Sequence, residues 1–207
     1  MADQEQSEFA AEKTRELPAI VPPAREDDEQ FRAEQERIKA MIAAGGPVSE
    51  ILSNLVLMIE AQSPEMLCSI LLLSDDGNHV RHAVAPSLPE TYVKAIDGSP
   101  IGPKHGSCGT AMFRGKPVIV RDISTDPLWD DYRNLAWAIG VAACWSNPIM
   151  SSKGKVLGSF AMYYRVPRTP NSEERHLTGV ATKLATLAIE QLALRAHPAS
   201  GETTART

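Results

Sequence analysis

Two stretches of the chain have the pattern of a β-hairpin, and they constrain the fold more than any other feature. In the first, LCSILLL (67–73) and HVRHAVA (79–85) flank SDDGN, whose Asp-Gly pair is a strong hairpin turn signal. In the second, AACWSNPIM (142–150) and KVLGSFAMYYR (155–165) flank SSKG. A helical insert, a strand (KPVIVRDI) and a helix lie between them, without regular alternation of strands and helices. The sequence therefore predicts an α+β fold, a central antiparallel sheet with helices on both faces.

Three segments outside these hairpins show features of helices. Apolar residues at helical spacing predict an amphipathic helix over 48–59, after a mostly solvated helix or linker at 28–46. The segment 127–139, with Asp126 as its N-cap and a proline at its first position, predicts another helix. A long helix is expected after Thr169, which would cap it. Its apolar stripe is too short to establish a coiled coil, so packing on the sheet and dimerisation through a four-helix bundle both remain open.

These patterns divide the chain into four segments. Residues 1–27 mix charges with prolines and are expected to be a disordered tail, followed by the helix or linker at 28–46. Residues 47–194 form one domain, and 195–207 a flexible tail. No phosphate-binding loop and no kinase or cyclase signature is found, so no output domain is expected. The chain either acts on a partner in trans or is a fragment of a longer protein.

Charge and cysteine content argue against several classes of function. The net charge is −5 and the basic residues do not cluster, which argues against a nucleic-acid surface. The N-terminus lacks the apolar core of a signal peptide, and no apolar run is long enough to span a bilayer. Three cysteines without a CxxC pair favour a reducing compartment. The sequence therefore predicts a cytoplasmic protein without nucleic-acid or membrane partners.

Four short motifs, taken together, identify a family. They are the Gly-Ser-Cys-Gly turn at 106–109, DISTDP at 122–127, CWSNPI at 144–149 and GKVLGSFA at 154–161. In this order and spacing they resemble the GAF domains of bacterial sensor histidine kinases and cyclic-di-GMP signalling enzymes, and the similarity extends over 48–194. The resemblance implies a small-molecule pocket on one face of the sheet, roofed by helical inserts. It also implies that helices from the two chain ends pack on the other face and commonly mediate dimerisation.

Cys108 can be interpreted in two ways. At a helix N-terminus the helix dipole favours its thiolate, and His105 would assist if its ring faced the sulfur. Free methionine sulfoxide reductases, which are GAF proteins, hold a redox cysteine in a related G-x-C-G-x-A turn. Their second cysteine precedes the next core strand, whereas Cys144 lies inside it, so that match fails; Cys68 resembles a core residue. The alternative is a small residue that packs the turn or passively lines the pocket.

Aromatic residues supply the rest of the predicted pocket. Trp129 and Tyr132 share a helix face, and the resemblance places Trp145 nearby, so the group could stack on a planar ligand or simply pack helix on sheet. His79 and His82 are three residues apart on a strand and point to opposite faces, so no metal pair is expected. No catalytic residue is predicted unless Cys108 is a nucleophile, and the cofactor is left open. The predicted ligand-binding residues are His105, Ser107, Cys108, Thr110, Trp129, Tyr132 and Trp145.

The function favoured by these features is regulatory. A small molecule would bind under the Cys108 turn, and closure of the pocket would rearrange the terminal helices of a homodimer. The output would pass to a signalling protein in trans. The competing interpretation is a thiol-based reductase of a small oxidised metabolite that uses Cys108, and a third is a dimerisation module without a ligand.

Overall fold

The computed structural model describes residues 26–196 of the chain, with six α-helices and five strands in that part. The predicted tails at 1–27 and 195–207 lie almost entirely outside the described residues. The elements, in chain order, are α1 (Glu26–Ala44), α2 (Val48–Glu60), β1 (Leu67–Leu73), β2 (Val80–Val84), α3 (Glu90–Ile96), α4 (Gly106–Arg114), β3 (Val118–Val120), a 3₁₀ turn (Pro127–Trp129), α5 (Arg133–Ala138), β4 (Ala143–Met150), β5 (Val156–Tyr164) and α6 (Ser172–Ala196).

The five strands form one antiparallel sheet in the order β2-β1-β5-β4-β3. Both predicted hairpins are confirmed, since β1 pairs with β2 and β4 pairs with β5. The turns that join them place Gly77 at a φ of 71° and Gly154 at a φ of 76°, in the left-handed region that glycine adopts without steric cost. The two hairpins meet along the β1–β5 pair in the middle of the sheet.

The two faces of the sheet carry separate hydrophobic cores. Helices α1, α2 and α6, which come from the two ends of the described chain, cover one face. Helices α3 to α5 and the 3₁₀ turn cover the other face. Side chains alternate between the faces along each strand, so Cys144 and Ser146 point to the second face and Trp145 to the first. The predicted α+β architecture with terminal helices opposite the inserts is therefore confirmed.

Two predicted helices differ from the structure, one in its continuity and one in its start. The segment 127–139 is not one helix: Asp126 does cap its start, accepting from Leu128 N–H at 2.9 Å, but only a 3₁₀ turn follows, and α5 begins afresh at Arg133. Likewise α6 begins at Ser172, and Thr169 does not cap it. The N–H of Glu174 donates to Asn171 Oδ1, and the N–H of Asn171 donates to Glu174 Oε2, both at 2.8 Å. This reciprocal pair is a capping box.

The apolar stripe of α6 is largely buried inside its own chain. Leu177, Ala181 and Leu184 pack into the core shared with α1 and α2. The predicted heptad-like stripe is thus mainly a packing face rather than a free seam. Two other leucines of the helix, one heptad apart, face outward: Leu187 is 50% exposed and Leu194 is 69% exposed.

Candidate functional site

A small cavity lies between the inserted helices and the second face of the sheet. Its volume is about 40 Å³, and one water molecule needs about 10–15 Å³ of such volume. Helix α4 forms one wall, and α3 and the 3₁₀ turn form the others. Aliphatic side chains from Leu71, Val80 and Ile96 form part of the lining. The polar and aromatic side chains that line the rest are Tyr92, Ser99, His105, Ser107, Cys108, Trp129, Tyr132 and Tyr163.

Glycines allow α4 to start close to the preceding loop. Gly106 begins the helix at a φ of 58°, where a side chain would be strained. A Cβ on Gly109 would lie 3.0 Å from His105 Cβ and 3.2 Å from the carbonyl oxygen of Pro100, so only glycine fits there without displacing backbone. The main-chain N–H of His105 donates to Thr110 Oγ1 at 3.1 Å. These features hold Ser107 and Cys108 at the start of the helix, facing the sheet.

Ser107 joins three elements through its hydroxyl group. The indole Nε1–H of Trp129 donates to Ser107 Oγ at 2.9 Å, and the hydroxyl donates in turn to the carbonyl of Cys144 at 3.2 Å. Trp129 also meets Tyr132 edge-on, with ring centroids 6.5 Å apart. The hydroxyl therefore links the 3₁₀ turn to β4 through the start of α4.

Cys108 lies over a row of buried hydroxyl groups on the sheet. Its Sγ is 3.2 Å from Ser146 Oγ and 3.8 Å from Tyr163 Oη. Tyr163 Oη is 3.0 Å from Ser69 Oγ, and the Tyr163 ring meets Tyr92 edge-on at 6.1 Å. Ser69 and Ser146 are fully buried, and each has a partner in this network.

The surroundings of Cys108 favour its thiolate. Hydrogen bonds from the Cys144 thiol first, and then from Ser146 and Tyr163, lower the pKa of Cys108 to about 7 from its ordinary 9.0, although burial opposes this shift. Burial and the neighbouring Cys108 charge raise the pKa of Cys144 and that of Tyr163 well above their ordinary values. The site therefore holds one ionisable sulfur, surrounded by groups that stay protonated and donate to it.

The structure brings most of the predicted site residues together. His105, Ser107, Cys108, Trp129 and Tyr132 all line the cavity. Thr110 does not line it, because its hydroxyl accepts from the backbone of the preceding turn.

Trp145 is a correction to the predicted site. It points to the opposite face of the sheet, where its ring packs on Tyr164 at 4.8 Å and its Nε1–H donates to the carbonyl of Arg168 at 3.2 Å. Since side chains alternate along a strand, Cys144 and Trp145 cannot both face the cavity.

Sequence reasoning missed Tyr92 and Tyr163. Tyr163 lies on the same face of β5 as Ala161, and both belong to the cavity-side core. The hydroxyl groups inside β5, whose sequence is VLGSFAMYY, were the available signal, because a buried hydroxyl needs a partner.

Residues 26–196 contain neither a metal-binding cluster nor a membrane-spanning helix. Within that range, no group of three or more His, Cys, Asp and Glu side chains is placed to hold a metal ion. None of the helices described there is long and apolar enough to cross a membrane.

The GAF domain model matches residues 47–190. Because that match extends over more than half of the chain, this chain belongs to the GAF domain family. Among curated proteins, the methyl sulfide methyltransferase-associated sensor of Methanosarcina acetivorans is 38% identical over 168 residues, which are 81% of this chain. The match covers only 17% of that relative's length.

Solved structures with low sequence identity share the fold. The GAF domain of a phosphoenolpyruvate-protein phosphotransferase from Coxiella burnetii has a TM-score of 0.64 at 17% identity, covering 81% of this chain and 98% of that one. A free methionine-R-sulfoxide reductase from Neisseria meningitidis, solved in complex with its substrate, has a TM-score of 0.60 at 16% identity, covering 80% and 91%. At these identities the similarity establishes architecture alone.

Proposed function

We propose that this GAF domain is a sensory, regulatory module that binds a small molecule in the cavity beside Cys108. Family membership and a 38% identical relative named as a sensor support this role. The observation that carries the proposal is the cavity itself, where hydroxyl, indole and thiol groups converge under α4. Convergent polar groups in an otherwise apolar pocket are typical of a ligand site.

The ligand of this site is small and carries no net charge. None of the side chains that line the cavity in the described chain is Asp, Glu, Lys or Arg. A buried phosphate or carboxylate would therefore have no Lys or Arg partner there, and the Cys108 thiolate would repel it. Trp129 and Tyr132 offer ring faces, while Ser107 and Tyr163 offer hydroxyl groups to a polar substituent. This chemistry suits a neutral, partly aromatic molecule better than a nucleotide.

Binding of such a molecule requires movement of the elements that cover the cavity. A cavity of about 40 Å³ holds only a few water molecules, so a metabolite must displace α4, α3 or the 3₁₀ turn. The ligand then stabilises the open arrangement in proportion to its preference for that state over the closed one. This population shift is the primary signal.

Arg168 provides a connection from the cavity side to α6. Its N–H donates to the carbonyl of Arg121, at the start of the loop that leads to the 3₁₀ turn, at 3.0 Å. Its guanidinium group lies 2.9 Å from the buried Glu174 carboxylate in the first turn of α6. A displacement of the loop therefore bears directly on the helix that carries Leu187 and Leu194. We assign the output to that helix, in a homodimer in the cytoplasm.

The thiol reductase alternative gains no support from the reductase structures. Their similarity to this chain is at the level of fold, at 16% identity for the Neisseria enzyme. The sensor proposal accounts for the indole and hydroxyl groups of the cavity as well as for its thiol.

A compound panel with two matched tryptophan variants tests the proposal. The midpoint of thermal unfolding is measured for the reduced protein with neutral aromatic compounds and with their carboxylated analogues. We expect neutral compounds to raise the midpoint of the wild-type protein, because a ligand stabilises the state it binds. Trp129→Phe should abolish that rise. Trp137→Phe should retain it, since Trp137 is 58% exposed and lies outside the cavity. Equal rises in both variants, or shifts only with the carboxylated analogues, would refute this ligand site.

A further inference from the structure

Cys108 and Cys144 are neighbours although they belong to different elements. Their sulfur atoms lie 3.2 Å and 3.8 Å from the same Ser146 hydroxyl oxygen. The hydrogen bond from Ser107 to the Cys144 carbonyl brings the first turn of α4 directly onto β4. All three cysteines of the chain are free. Two reduced sulfurs thus meet below the cavity, where neither is needed to hold a metal or a bridge.

Only one of the two sulfurs is reached from the cavity. Cys108 lines the cavity and is 9% exposed, whereas Cys144 is fully buried behind it. The cavity holds a few water molecules and therefore also admits hydrogen peroxide, which has two oxygen atoms. The third cysteine, Cys68, is fully buried in the core on the opposite face of the sheet. Their positions therefore give the three sulfurs different roles. Cys108 is reached from the cavity, Cys144 lies behind it, and Cys68 is too far away to take part.

We propose that Cys108 and Cys144 form a redox modification site, at which a small hydroperoxide entering the cavity converts the two thiols into an intramolecular disulfide. This redox site does not require the sensory ligand. It would give the domain a second input, at helix α4 beside the cavity. The Ser146 and Tyr163 hydroxyls serve as donors to the Cys108 thiolate before the reaction. The low pKa of Cys108, about 7, supports the assignment of Cys108 as the attacking sulfur.

The chemistry balances in two steps. The Cys108 thiolate attacks one peroxide oxygen, the O–O bond breaks, and the departing hydroxide takes a proton from solvent to become water. Cys108 is then a sulfenic acid, oxidised by two electrons. The Cys144 sulfur, losing its proton, next attacks the Cys108 sulfur; the S–O bond breaks, the S–S bond forms, and hydroxide leaves with that proton as a second water. A thiol reductant reverses the bond by disulfide exchange.

Formation of the bond must move α4. An S–S bond is about 2.05 Å long, whereas the two free sulfurs of the reduced chain are not bonded to each other. The first turn of α4 and strand β4 therefore approach each other, and Cys108 gives up its contact with Ser146. The oxidised chain has its roof helix fixed to the sheet. The bond therefore fixes α4, one of the elements that border the cavity.

Mass spectrometry of the full chain tests the site. Reduced protein is exposed to one equivalent of hydrogen peroxide, then denatured in excess N-ethylmaleimide and digested. We expect the oxidised chain to take up one maleimide instead of three and to yield a Cys108–Cys144 cross-linked peptide. Reduction of the oxidised chain with dithiothreitol, before the maleimide is added, should restore all three labels. Three labels after peroxide, or a bond to Cys68 or to a second chain, would overturn the proposal.

Two variants add independent evidence, and circular dichroism confirms that each is folded. Cys144→Ser should leave Cys108 as a sulfenic acid that dimedone traps, because its partner sulfur is missing. Cys68→Ser, the matched control, should form the disulfide as the wild type does. A Cys144→Ser protein whose Cys108 is never trapped would count against the site. The ligand-induced midpoint shift is measured on reduced protein, so failure of the redox site and failure of the sensory proposal give separate results.

Discussion

At the scale of single residues, the site depends on hydrogen bonds to one sulfur. The Cys144 thiol and the Ser146 and Tyr163 hydroxyls donate to Cys108 and stabilise its charged form, while burial acts against it. An isolated buried thiol has the opposite tendency, and Cys68 shows it, because burial raises its pKa well above the ordinary value. The pKa values of two cysteines in one small domain are therefore shifted in opposite directions by their surroundings.

The pH dependence of thiol oxidation follows from this difference. Because the pKa of Cys108 is lowered from 9.0 to about 7, its thiolate fraction rises as the pH increases through 7 and is nearly complete at pH 9. We expect the rate of reaction with hydrogen peroxide to level off above about pH 8. The rate is measured as the loss of maleimide labelling at Cys108. In Ser146→Ala one donor is lost, so the inflection should move to higher pH. A rate that keeps rising to pH 9 in the wild type would contradict this description, and Cys68 serves as the unreactive internal control.

Site residues were predictable from the sequence only where local pattern determines their position. The Gly-Ser-Cys-Gly turn fixes the start of α4, and Ser107 and Cys108 follow from it. Trp145 was predicted on the wrong face of the sheet. Neighbouring residues of a strand point to opposite faces, so Trp145 cannot share the face of Cys144. Tyr163 was missed since its role depends on partners far away in the chain, Ser69 and Cys108.

At the scale of elements, two glycines differ in how closely the neighbouring backbone approaches them. A Cβ on Gly158 in β5 would overlap the carbonyl oxygen of Leu71 and lie 3.1 Å from Leu72 Cα, both backbone atoms of β1. A Cβ on Gly179 in α6 meets nothing within 4 Å. We expect Gly158→Ala to destabilise the fold by about 1–3 kcal/mol and Gly179→Ala to stabilise it by about 0.5–1 kcal/mol. Urea unfolding of both variants measures the pair, and stabilisation by Gly158→Ala would disprove the close approach of β5 to β1.

The first turn of α6 depends on Glu174. Its carboxylate accepts from Tyr164 at 2.7 Å and from Asn171 N–H at 2.8 Å, and it pairs with Arg168 at 2.9 Å. Glu174→Ala should cost an amount toward the lower end of about 3–5 kcal/mol, because the Arg168 side chain left behind is 30% exposed and partly solvated. Glu173→Ala, at the exposed neighbouring position, should change the free energy of unfolding by less than about 0.5 kcal/mol. Similar losses in both variants would argue against the buried pair.

Helix boundaries were harder to predict than helix existence, for reasons that are visible here. Thr169-Pro170 satisfies the rules for a helix start, but Asn171 and Glu174 form two reciprocal bonds and determine where α6 begins. The 127–139 segment carries a helical pattern, yet it is interrupted before Arg133. The guanidinium of Arg133 donates to the carbonyls of Ile123 and Asp126, contacts that hold the loop to the start of α5. Tertiary hydrogen bonds of this kind leave no periodic signal.

At the scale of the whole molecule, the two faces of the sheet are covered by different elements and have different proposed roles. The α3–α5 face holds the cavity, and the other face binds the terminal helices. Arg195 fastens the end of α6 to the end of α1, where its guanidinium donates to the Ala43 carbonyl at 3.2 Å. The C-terminal ends of α1 and α6 are thus joined on one side of the domain.

The proposed homodimer gives a prediction at this scale. Leu187 is exposed on α6, where a partner helix can cover it. We expect light scattering after gel filtration to give twice the chain mass for the wild type and the single chain mass for Leu187→Glu. Phe113→Glu, at an equally exposed apolar position on the opposite side of the sheet, should remain dimeric. A wild type that is monomeric at all concentrations would require another route of output.

The most direct test of the central claim, that the cavity beside Cys108 binds a small uncharged molecule, is a pair of mass spectra. Reduced protein incubated with a cellular metabolite extract is desalted and measured once under native and once under denaturing conditions. The account predicts a native mass excess, of a neutral compound, that disappears on denaturation and is absent from Trp129→Phe but present in Trp137→Phe. Identical native and denatured masses for the wild type, or an excess that Trp129→Phe retains, would contradict it.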